Sequence, residues 1–150
     1  MTRDTDDTTK LLINRLGYAG LAPFAVLALL LWLVDASLHP FVALALAGYG
    51  AVIVSFLGGV HWGLGLRVSA EAPDATRFHF VWGMVSALLA WVAIMMPAFA
   101  GLPLLGLVLV GCYLVDRHTW PRAGLGAWLP LRLKLTVVAT LACLFGAAGT

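Results

Sequence analysis

The stretch Gly48-Tyr49-Gly50-Ala51-Val52-Ile53-Val54-Ser55-Phe56-Leu57-Gly58-Gly59-Val60-His61-Trp62-Gly63 is apolar enough to lie in lipid, is crowded with glycine, and ends in a His-Trp pair. It sits inside a longer apolar run from about Phe41 to Leu66. A membrane-spanning helix needs ~20 mostly apolar residues. Four other runs meet that need: about Leu16 to Val34, Phe80 to Ala98, Leu102 to Val115 (short, extendable to Asp116) and Leu131 to Ala148. The runs are continuous rather than alternating, which predicts helices and not barrel strands. Lipid leaves no loose backbone group satisfied, so each run must close its own hydrogen bonds. The expected fold is an all-α bundle of five transmembrane helices. Residues 1–15 form a short, loose polar tail, and residues 16–150 form one domain.

Composition agrees. The 150 residues are 62% hydrophobic and only 11% charged. A soluble domain averages roughly 45–50% apolar and about 25% charged. The N-terminus, Met1-Thr2-Arg3-Asp4-Thr5-Asp6-Asp7, is mixed in sign, unlike the basic start of a secretory signal, so the first span is expected to be retained. The two cysteines, Cys112 and Cys143, are expected at different depths and unbridged, as buried small hydrophobes.

The connections alternate in character. Asp35 to Pro40 and Phe99-Ala100-Gly101 are tight and uncharged in Lys or Arg, and the flanking Pro97 and Pro103 are expected to stop the helices around the second of them. The stretches from Arg67 to His79 and from Asp116 to Pro130 are longer and charged. With five spans, all nine Lys and Arg (Arg3, Lys10, Arg15, Arg67, Arg77, Arg117, Arg122, Arg132 and Lys134) fall on one side. The positive-inside rule then predicts a cytoplasmic N-terminus and a periplasmic C-terminus, in a multi-pass protein of the bacterial inner membrane.

Every fourth residue of the second span is small: Ala43, Ala47, Ala51, Ser55, Gly59 and Gly63. Such a ridge lets helix backbones approach closely in lipid. It can serve packing within the chain, homodimerisation, or a ligand that reaches bare backbone. Gly58-Gly59 also offers a point for a bend.

The polar residues gather on the basic side. His61 and Trp62 end the second span, His79 and Trp82 open the third, and Asp116, Arg117, His118 and Trp120 follow the fourth. Trp128, Arg132 and Lys134 open the fifth, and Asp116 is expected to pair with Arg132 or Arg117. One reading is ordinary interfacial anchoring. The other is a binding site, since ionisable residues inside the membrane boundary are costly and tend to be used. The candidates for binding a ligand or partner are His61, Trp62, His79, Asp116, Arg117, Trp120 and Arg132. No catalytic residue, metal ligand set or cofactor is assigned: no HExxH, P-loop, GxSxG or dinucleotide fingerprint occurs.

Three strings resemble the Domain of Unknown Function 3429 family: Leu16-Gly17-Tyr18-Ala19-Gly20-Leu21-Ala22-Pro23-Phe24; Tyr49-Gly50 through Ser55-Phe56-Leu57-Gly58-Gly59-Val60-His61-Trp62-Gly63; and Leu131-Arg132-Leu133-Lys134-Leu135-Thr136. The resemblance covers nearly the whole chain and implies a small polytopic protein of bacterial inner membranes and mitochondria. It implies no activity.

The leading functional expectation is a non-enzymatic protein that binds a partner or assists a larger membrane complex. Its partners would be the bilayer and other membrane subunits, a second copy of the chain being one option, and no nucleic acid. The alternative is a ligand-binding or permeation protein with a cytoplasm-facing pocket around His61, Trp62, Asp116 and Arg132.

Overall fold

The computed structural model describes residues 2–68 and 73–150. Among the described residues six α-helices follow one another: α1 (Thr2–Ala19), α2 (Ala22–Leu33), α3 (His39–Val68), α4 (Pro73–Met95), α5 (Ala98–Thr119) and α6 (Leu129–Ala148). Among the described residues five stretches are long and apolar enough to cross a membrane, with α1 and α2 together supplying the first, Asp7–Leu33. Among the described residues there is no strand. The bundle is therefore all-helical, as the continuous apolar runs require.

Three expectations need correction. The polar start of the chain is not a loose tail, because α1 is helical from Thr2 onward. The fourth span is not short, because α5 begins at Ala98 and contains Pro103. A proline removes one backbone donor. Here the donor would have served the carbonyl of Phe99, an exposed residue at the very start of the helix, so little is lost. The third correction is that α3 already begins at His39 and takes in Pro40, after a short 3-10 turn at Ala36–Leu38. Of the expected connection between Arg67 and His79, residues 69–72 lie outside those described.

The break between α1 and α2 has a clear cause. Pro23 cannot donate, and its fixed ring suits the first turn of a new helix. The carbonyl of Gly20 then accepts the hydroxyl of Tyr49 from α3 at 2.7 Å. Two of the strings that carry the family resemblance are thus tied together.

α3 is the central helix and touches α2, α4, α5 and α6, most extensively α4. It runs unbroken through Gly58 and Gly59. The core around it is built from Phe24, Leu31, Leu46, Val54, Leu102 and Leu105. The outside is apolar as well: Leu44, Leu88, Leu107 and Leu141 are all exposed. A surface that greasy needs lipid around it.

The small-residue ridge divides in two. Ala43, Ala47 and Ala51 are buried against neighbouring helices, whereas Ser55, Gly59 and Gly63 are exposed. A Cβ placed at Gly59 or Gly63 would meet nothing within 4 Å. The close approach to α4 is made one position away. A Cβ at Gly58 would lie 2.6 Å from both the Gly83 carbonyl and Ser86 Oγ. At the opposite membrane end, a Cβ at Gly101 would collide with the Ala93 carbonyl, which lets α4 and α5 close into a tight hairpin.

Candidate functional site: a buried polar network beside a lipid-facing cavity

Four helices each send one polar side chain to a common point near the basic end of the bundle. His61 comes from α3, His79 from the second turn of α4, Asp116 from the last turn of α5 and Arg132 from the first turn of α6. His61 and Asp116 are 1% and 2% exposed, and Arg132 is 7% exposed. Arg132 Nε donates to Asp116 Oδ2 at 2.8 Å. His61 Nε2 lies 3.0 Å from Asp116 Oδ1. His61 Nδ1 lies 2.8 Å from His79 Nδ1. Arg132 Nη1 donates to Thr136 Oγ1 at 2.7 Å, one helical turn along α6.

The donor and acceptor roles follow from charge. Arginine remains protonated, so the pair is neutral with Asp116 as carboxylate. A carboxylate only accepts, so His61 must donate from Nε2. In the neutral network His61 Nδ1 then accepts, and His79 donates from its own Nδ1. Breaking a buried pair by removing one charge is costly, about 3–5 kcal/mol. The network therefore also pins α3, α5 and α6 together.

Of the other expected site residues, Arg117 is exposed and takes no part. It is next to Asp116 in sequence, about 100° around the helix, and so it points away; the partner is Arg132. Trp62 is exposed, and its Nε1 donates to the Phe80 carbonyl at 3.2 Å. Trp120 is buried. His61 and Asp116 are packed against one another instead of surrounding an opening. Among the described residues, no group of three or more His, Cys, Asp or Glu is placed to hold a metal ion. Cys112 and Cys143 are buried free thiols.

The open space lies alongside the network. A cavity of about 480 Å³ runs between α1, α2, α3, α5 and α6, within the ~300–1,000 Å³ usual for small-molecule sites. Its wall is almost wholly apolar and includes Phe24, Leu57, Leu109 and Ala139, with Arg132, Thr136, Trp120 and Trp128 as the residues that carry a polar side-chain atom. Ile13 and Leu16 of α1 and Phe56 of α3 line it and are themselves exposed. The mouth therefore faces the side of the bundle, where lipid lies. Most of the wall comes from the three strings that carry the family resemblance. Arg132 Nη2, Trp120 Nε1 and Trp82 Nε1 are buried and have no hydrogen-bond partner in the structure, and Trp82 does not line the cavity. Thr136 and the cavity were not visible as site features in the sequence, whereas Arg132 and Trp120 stood among its candidates. The only available hint was that Thr136 stands four residues after Arg132.

The fold and the site together define a small multi-pass helical membrane protein with a charged network in its interior. Over residues 10–148 the chain matches the family model described as "Protein of unknown function (DUF3429)", and it belongs to that family. It is 41% identical over 131 residues to transmembrane protein 69 of Xenopus tropicalis, an alignment covering 83% of this chain and 49% of that protein. The chain thus spans about half the length of the curated relative it matches. No solved structure matches it.

Proposed function

We propose that the chain is a non-enzymatic binding protein of the bacterial inner membrane that takes a lipid-soluble ligand into the cavity beside Arg132. The observation that carries this reading is the cavity itself. It is apolar, open toward lipid, and bordered by a buried charged network that is costly to maintain. A packed membrane bundle with a purely structural role needs no such space. Nine Lys and Arg on one side support a cytoplasmic N-terminus and a periplasmic C-terminus, with the network near the cytoplasmic face. A periplasm-active phosphatase fused after Thr150 should then be active, and activity of a cytoplasmic reporter there instead would reverse the orientation.

The test of the binding reading is purification in a mild detergent, followed by extraction and mass spectrometry of bound small molecules. A lipid-soluble compound should accompany the wild-type protein and be lost from Ala139→Phe, which places a ring in the cavity. An equal complement of extracted compounds from the two proteins would count against the reading.

A second reading has its own observation. The exposed half of the ridge, Ser55, Gly59 and Gly63, offers a backbone surface on which a helix of another membrane subunit, or of a second copy, can pack. This is the accessory role in a larger complex. Gly59→Leu should abolish co-purification of such a subunit, or dimerisation, without unfolding the chain; an unchanged complex would remove this reading.

A further inference from the structure

Lys10 and Lys134 are the only lysines of the chain, and they meet. Both line a second cavity of about 250 Å³, in the cleft between α1 and the start of α6. Asn14, Tyr18 and Trp128 line it too, and no carboxylate does. Asn14 Nδ2 already donates to the Lys10 carbonyl at 2.9 Å. The cleft adjoins the large cavity, sharing Trp128 and Leu131 with it. Its own Lys10, Tyr18 and Lys134 are exposed on the outside of the bundle.

Lys134 stands where a charge is costly. It lies within the spanning stretch Gly126–Ala148, five residues beyond Leu129 and so about 7.5 Å along the helix. It has no ion-pair partner among the described residues. Deeper on the same face of α6, Val138 and Leu141 are exposed, which puts hydrocarbon beside it. An ammonium there needs an anion or a route back to the headgroups. The cleft supplies the route, because helical side chains lean toward the N-terminus and so toward Trp128. Two cations without a carboxylate then select an anion, and lysine binds phosphate as a point charge. Tyr18 and Trp128 are the amphipathic aromatics typical of headgroup depth. A free phosphate would meet the charge alone. A phospholipid meets the charge and also covers the apolar face beneath it.

We infer that the cleft between α1 and α6 binds one anionic phospholipid. Its phosphate-bearing head occupies the space lined by Lys10 and Lys134, and its acyl chains lie along Val138 and Leu141. The site is distinct from the ligand cavity and does not depend on the binding role proposed for that cavity.

The experiment is native mass spectrometry of the full chain released from mild detergent. Dioleoylphosphatidylglycerol, dioleoylphosphatidylcholine and inorganic phosphate are titrated separately, and the affinity of the first bound molecule is read. Phosphatidylglycerol should bind roughly 30-fold tighter than phosphatidylcholine, about fivefold for each lysine. Lys10→Gln and Lys134→Gln should each weaken phosphatidylglycerol about fivefold and leave phosphatidylcholine unchanged. Lys134→Arg keeps the charge and should retain the preference. Arg122→Gln removes an exposed charge from the same end of the bundle, outside the cleft, and should change nothing. Equal affinity for the two lipids would overturn the proposal. So would a loss in Arg122→Gln as large as in Lys134→Gln, which is what diffuse attraction to a basic surface would give. Displacement of phosphatidylglycerol by equimolar inorganic phosphate would overturn the lipid assignment in favour of a soluble phosphate.

Discussion

His61 and His79, from adjacent helices, face each other through their Nδ1 atoms at 2.8 Å. Only one of the two nitrogens can hold the shared proton, and Asp116 decides which by requiring a donor at the far side of the His61 ring. In the neutral network His61 should carry its proton on Nε2 and His79 on Nδ1. Nuclear magnetic resonance of the protein with isotope-labelled histidine reads the tautomers directly. A His61 ring protonated on Nδ1 alone would show that the assigned direction of the chain is wrong.

The ion pair makes a second prediction. Asp116→Leu leaves the Arg132 charge without a counter-charge and should lower stability by about 3–5 kcal/mol. Adding Arg132→Met removes the stranded charge, and the double variant should be more stable than Asp116→Leu alone. Thermal unfolding in detergent, arranged as a double-mutant cycle, measures the coupling. Losses that simply add would mean that the two groups do not depend on each other.

The glycines of α3 should behave oppositely according to the face they occupy. Gly58→Ala forces a methyl group against the Gly83 carbonyl and Ser86 Oγ of α4. It should cost about 1–3 kcal/mol, as overpacking does. Gly59→Ala and Gly63→Ala enter open space and should stay within about 0.5 kcal/mol of the parent. Unfolding curves of the three variants distinguish the two faces; equal losses would contradict the packing described.

Tyr49→Phe deletes the donor that serves the Gly20 carbonyl at the break between α1 and α2. The expected cost is about 1–3 kcal/mol. Hydrogen exchange should quicken at the junction around Gly20 and stay unchanged in α4. A uniform change along the chain would mean that the bond does not act locally.

Much of this architecture is legible from ordinary residues. An apolar run such as Leu131 to Ala148 can hardly be anything but a spanning helix, because lipid forbids open backbone. The start of α1 was not legible in this way, since Thr, Asp and Lys leave no apolar run to count. Pro103 misled for a different reason. A proline ends a helix in mid-span, but near a helix start the bond it removes matters little. His61, Asp116 and Arg132 were visible as candidates because the ionisable residues of the spans cluster at one end. The choice of Arg132 over Arg117 is angular, and it depends on how α6 sits beside α5. The cavity left no trace at all: empty space arises from how helices meet, and its wall is ordinary Leu, Phe and Gly.

Entry of a lipid chain into the cavity is the claim on which the account turns. Phe24 and Leu109 are each 1% exposed, yet both line the cavity. A lipid bearing a photoactivatable group in its acyl chain, irradiated in membranes that contain the protein, tests entry by mapping the adducts. The account predicts adducts at Phe24 and Leu109 that disappear in Ala139→Phe, while those at the outward-facing Leu44 and Leu88 persist. Adducts confined to Leu44, Leu88 and other outward residues would contradict it.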